Sequence, residues 1–283
     1  MDRPPLDGTG RGDPGEAPPH GTSPHEVSLV RAAQDGDRAA LEELVTGCLP
    51  LVHRIVARAL AGHPDTDDLV QEVMLLLLRG LPGLREPERF RSWAVAVVYR
   101  QIQQYWRRRR RSRTEPFPEQ AYVEPADPRA DFSERSVAEL VLAGQRRDLV
   151  SAAGWLEHRD RHLLALWWEE TAGALSRAEL AAALRLPRTH AAVRVQRMKE
   201  QLQTARLIVG GLSAVPRCPG LADAARGWDG QPSGLWRKRL ARHVRACPAC
   251  GSLRERLVPP ERLLPGIAVL PVPAALLAWI GHL

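Results

Sequence analysis

Four residues in the C-terminal third, Cys218, His243, Cys247 and Cys250, follow the spacing C-x24-H-x3-C-x2-C. Thiolates and imidazole at this density are soft ligands for a tetrahedral metal, and a Cys3His set is a common structural zinc shell. His243 and Cys247 stand four residues apart, so a helix through "GLWRKRLARHVRAC" would bring both to one face. Pro248 then starts a turn that returns Cys250, while Cys218 closes the shell from an earlier segment. No H-E-x-x-H is present and no ligand position is left open, so zinc hydrolysis is not expected and the chain reads as a non-enzyme. Two other readings stay open: a CxxC redox pair at Cys247 and Cys250, as in a disulfide oxidoreductase, and unrelated surface thiols.

The elements that must carry these ligands are helical. Periodicity of three and four residues runs through nearly the whole sequence, and no alternating strand pattern appears. The expected architecture is therefore all-α: two small helical domains joined by a linker, plus a small helical zinc-binding module. The divisions read as a disordered tail over 1–25, a helical block over 26–111, an acidic Pro-rich linker over 112–134, a second block over 135–207, the zinc module over 216–258, and an apolar Pro-rich tail over 259–283. With 44% apolar residues the chain can build real cores, and four cysteines in 283 residues are too few for a secreted disulfide scaffold. The opening stretch is rich in Pro, Gly and charge and does not read as a secretion signal. A cytoplasmic, nucleoid-associated protein is expected; the tail, interrupted by Pro265, Pro271 and Pro273, is a weak candidate for membrane association.

The formal net charge is +7 and lysine occurs only at Lys199 and Lys238, so the basic character is arginine. Such a balance favours a polyanionic partner. In the first block, Leu41, Leu44, Val45, Cys48, Val52, Ile55, Val56 and Ala59 form one helical stripe, which makes Cys48 a small core residue. In "HPDTDDLVQEVMLLLLRGL", Asp65 or Asp67 can cap a helix whose core face is Leu69, Val70, Val73, Met74 and Leu77. Asp68, Gln71 and Glu72 lie opposite. Leu75, Leu76 and Leu78 extend the apolar cover, so a partner or another element must bury them. The next helix, "FRSWAVAVVYRQIQQYWRRRRRSR", ends in arginines 107–111. Guanidinium groups there suit phosphate, and Tyr105 and Trp106 could stack on unpaired bases.

These segments, with "LVRAAQDGDRAALEELV" before them, resemble conserved region 2 of the extracytoplasmic-function (ECF) sigma factors. The resemblance implies that Asp68, Gln71 and Glu72 dock on the β′ clamp of core RNA polymerase. It also implies that the helix from Trp93 to Arg108 reads the single-stranded −10 element, with Trp93, Arg100, Gln104, Tyr105, Trp106, Arg107 and Arg108 as contacts. Arg100 and Gln104 stand where many members carry Asn and Asp.

In the second block, "LSRAELAAALRLPRTHAAVRVQRMKEQL" reads as helix, turn, helix, opened by a Ser176–Glu179 capping box. Leu180, Ala181, Leu184 and Leu186 face inward, and Val193, Val195 and Met198 form the second helix's apolar side. Arg188, Thr189, His190, Arg194 and Arg197 are left to enter a major groove. This segment resembles sigma region 4, which implies −35 binding and contact with the polymerase β flap. The turn position that the family fills with Gly, because its backbone favours positive φ, holds Arg185 here.

Around the four metal-ligand candidates, "WDGQPSGLWRKRLARHVRACPAC" resembles the zinc-containing anti-sigma domain. The combined reading is a sigma factor directing core polymerase to promoter DNA, with one Zn2+ in a fused module that acts on its own regions 2 and 4. The alternative is a zinc-dependent helix-turn-helix regulator that never engages polymerase.

Overall fold

The computed structural model describes residues 22–61, 63–111, 137–264, 267 and 271–281. The expected linker, and the tail as far as residue 21, lie outside the described residues. All regular elements among those described are helical.

The first block contains α1 (Pro24–Gln34), α2 (Arg38–Leu60), α3 (Thr66–Gly80) and α4 (Phe90–Arg111), with short 3-10 turns at Leu81–Gly83 and Pro87–Arg89. The helical start lies at Pro24, before the expected residue 26, because Ser23 and Glu26 form a reciprocal capping box. Asp37 caps α2 by accepting from the amides of Ala39 and Ala40. Asp65 holds the N-cap position of α3 but makes no side-chain cap bond. Its carboxylate instead accepts from Tyr105 and Arg109 of α4, at 2.9 Å each. The core stripe of α3 is buried as its periodicity requires. Leu76 and Leu78 are half-buried at the edge of that core, so neighbouring helices supply much of the cover they need.

The second block contains α5 (Val137–Gly154), α6 (His158–Thr171), α7 (Arg177–Leu184) and α8 (Arg188–Ser213). The Ser176–Glu179 capping box opens α7, and Arg185 ends it in the left-handed region at φ 54° and ψ 43°. Val193, expected on the apolar side of α8, is 51% exposed; Val195 and Met198 alone of that trio are buried. The residues "VGGLSAVP", expected to break the helix near 207, continue it to Ser213. Gly211 explains the difference. A Cβ there would lie 2.8 Å from Leu221, so the glycine is a notch that admits the next helix.

That next helix is α9 (Pro219–Ala224), followed by α10 (Gly234–Ala246), α11 (Pro248–Gly251) and α12 (Leu253–Arg256). Leu221, Leu240, Ala241 and Val244 are buried, and α9 and α10 pack along α8. Arg206 of α8 is fully buried and stitches the module down, donating to the Val258 carbonyl at 2.8 Å and to Gln145 at 3.0 Å. Arg237 of α10 donates to the Trp155 carbonyl and to Glu157, at 3.1 Å each. The described parts of the tail form α13 (Pro260–Leu263), against α5, and α14 (Ala274–Ile280), against α2. Among the described residues no helix is long and apolar enough to cross a membrane.

The two blocks do not stand apart. One core runs from Val45 to Ile280, because α6 packs on α2 and α7 packs on α4.

Candidate metal centre and nucleic-acid interface

The four cysteine and histidine candidates converge, with donor atoms all within 4.8 Å of one another. Cys218 stands at the N-cap of α9, His243 in the last turn of α10, Cys247 between α10 and α11, and Cys250 inside α11. Pro219 and Pro248 each start the helix that follows a ligand, where a missing N–H removes nothing from the helix. Cys218 Sγ lies 3.3 Å from His243 Nε2 and 3.8 Å from Cys247 Sγ, and Cys250 Sγ lies 3.5 Å from His243 Nε2. A tetrahedral ion with bonds of about 2.3 Å to sulfur requires ligand separations of about 3.7 Å, so the shell is already the right size.

Gly220 lets the imidazole in: a Cβ there would approach His243 Cε1 to 2.8 Å. The thiols differ in readiness to ionise. The Cys250 amide and the Cys218 side chain draw the Cys247 thiol below its ordinary value, against the opposing effect of burial. Burial pushes Cys250 up to about 12. The fourth cysteine, Cys48, is apart from the shell and half-buried in the first block; burial raises its thiol to about 12, as a packing residue requires.

The polymerase candidates lie on the outer side of α3, with Asp68 exposed and Gln71 and Glu72 half-buried. Glu72 also pairs with Arg108 of α4 at 3.7 Å, so the acidic face and the arginine-rich helix end share an edge. On α4, Arg100, Arg107 and Arg108 are exposed and Gln104 is half-buried. Trp93 is half-buried beside Phe90, its ring so close to Gly80 that a Cβ there would sit 2.8 Å from it. Tyr105 is tied to Asp65; burial first, and that bond second, raise its hydroxyl to about 12.

Trp106 departs from the base-stacking arrangement read from sequence. It is 9% exposed, and its indole stacks on His158 of α6 with ring centroids 4.4 Å apart. It continues the buried stripe of Val98 and Ile102, which an amphipathic helix presents to its own core. On α8, Arg188, Thr189, His190 and Arg197 are exposed and Arg194 is half-buried.

Sequence reasoning missed the groups that hold the blocks together. Glu169 of α6, 1% exposed, accepts from Arg54 of α2 at 3.0 Å and from Arg58. Arg91 of α4 donates to Glu179 at 3.2 Å and to the Ala174 carbonyl at 2.5 Å, beside a contact with Glu26 at 3.4 Å. Glu179 therefore serves the cap of α7 and the seam at once. Only its capping role was legible, because that role is local.

Residues 44–112 match the family model of Sigma-70 region 2, a span that contains all of α3 and α4 and most of α2. No curated protein matches the chain. Among solved structures, that of CnrH in complex with the cytosolic domain of CnrY is similar, with a TM-score of 0.42 and 22% identity over 63% of this chain and 94% of that one.

Proposed function

We propose that the chain is a sigma factor of the ECF type, which binds core RNA polymerase and directs it to promoter DNA. The observation that carries the reading is the Sigma-70 region 2 match over 44–112, which falls on helices with an acidic outer face at Asp68, Gln71 and Glu72 and a basic one at Arg100, Arg107 and Arg108. The acidic face docks on the β′ clamp. The basic helix α4 follows the −10 strand, with phosphate neutralisation supplying most of its affinity. The exposed end of α8, from Arg188 to Arg197, enters the −35 major groove, and the second block also meets the β flap. Such a protein works in the cytoplasm, on the nucleoid.

The Cys3His shell holds one Zn2+, the ion that three thiolates and an imidazole in a closed four-ligand set suit. When bound, it cross-links α9, α10 and α11. The chain's own residues then do the restraining: Arg206 and Arg237 fix the module to the second block, while Glu169, Arg91 and Trp106 hold that block on the first. In this packed arrangement Trp106 is covered, so separation of the two blocks precedes strand binding.

Run-off transcription with purified core enzyme on genomic promoters tests the proposal. Discrete transcripts that depend on the added chain are the expected result. Transcripts that start no more selectively than with core enzyme alone would leave the helix-turn-helix regulator as the reading.

A further inference from the structure

A cavity of about 570 Å³ opens where the first block, the second block and the zinc module meet. Its walls come from the C-terminal part of α2, from α5, α6 and α8, and from the loop after α9. Trp155, Trp168 and Trp228 face it, and Arg58, Arg161 and Arg217 border it; no Asp or Glu is among its described lining residues. Trp155 and Trp228 lie with ring centroids 5.3 Å apart and planes tilted by 39°. The Arg58 guanidinium lies 4.2 Å from the Trp168 ring centroid and pairs with Glu169 in the wall behind. Arg217 is exposed.

Mostly apolar walls with a few convergent polar groups are the usual make-up of a small-molecule site, and this volume is in the usual range. Three indoles offer flat faces for ring stacking. Guanidinium groups without a facing carboxylate select an anion, and arginine's planar fork suits a carboxylate or sulfonate. We propose that this cavity binds a small, flat aromatic anion, its rings among Trp155, Trp168 and Trp228 and its charged group toward Arg217 and Arg161. None of the four metal-ligand candidates and none of the polymerase or DNA candidates lines it. Because the walls belong to all three units, an occupant favours the packed arrangement over a separated one.

Isothermal titration calorimetry of the full chain tests this with 2-naphthoate and its uncharged counterpart 2-naphthamide. Saturable binding of naphthoate is expected, with naphthamide and the Arg217→Gln variant each weaker by roughly tenfold, the loss of one charge-assisted contact. Ser151→Trp, at an exposed position of α5 that lines the cavity, fills the space without disturbing the core and abolishes binding. Absence of saturable binding, equal affinity for the acid and the amide, or an unaltered Ser151→Trp variant would overturn the proposal. Each of those results leaves polymerase binding untouched, so the two readings fail separately.

Discussion

At the level of single residues, two positions carry most of the local consequence. Arg185 occupies the left-handed region, where a side chain costs about 1 kcal/mol relative to glycine. Arg185→Gly is therefore predicted to raise the melting temperature of the chain, read by circular dichroism; an unchanged or lower value would mean that the arginine makes a compensating contact. Gly220 is the second. Replacing it with Ala drives a methyl group into His243, so metal affinity is predicted to fall by roughly tenfold or more, as losses around a metal shell commonly do. Competition with a chromogenic zinc chelator measures it, and wild-type affinity in the variant would contradict the account. The ligand set was legible because one short helix and a turn fix three of its four spacings. Gly220 was not, since its importance arises from a ring 23 residues further along that only tertiary structure brings near.

Among the elements, the helices were legible and their ends less so. Amphipathic periodicity located α2, α3, α4, α7 and α8, because each buries one stripe. The glycine pair in α8 was misread as a breaker because a packing notch and a helix stop share the same residue type. The seam between α2 and α6 was invisible, because Arg54, Arg58 and Glu169 are separated by more than 100 residues and look like surface charges in sequence. Removing the charge at Glu169 leaves Arg58, with a side chain only 7% exposed, uncompensated. Breaking a buried pair this way costs about 3–5 kcal/mol. Glu169→Gln is predicted to loosen α6 from α2 and expose Trp106, seen as stronger acrylamide quenching of tryptophan fluorescence and tighter binding of single-stranded DNA. Unaltered quenching and DNA affinity would show that the seam does not cover the strand-binding helix.

Across the whole molecule, the all-α class and the order of the three units were readable, while their assembly around one core was not. An apolar stripe shows that a helix is covered, without saying by what. Trp106 illustrates this: the same position on α4 serves a base or a neighbouring helix, and here α6 takes it. The packed arrangement joins an exposed acidic face, an exposed recognition helix and a partly covered basic helix in one chain, and a metal-ligand cluster stands on the block that covers it. This is the layout of a promoter-reading protein held in check by its own C-terminal module.

The most direct test of that account is the affinity of the full chain for purified core RNA polymerase at modest salt, with Asp68, Gln71 and Glu72 intact and then replaced together by Ala, Ala and Arg. Association that weakens by roughly a hundredfold on the triple replacement is predicted, since a reversed charge in a docking face costs several kcal/mol. No association of the intact chain, or association indifferent to the three changes, would contradict it.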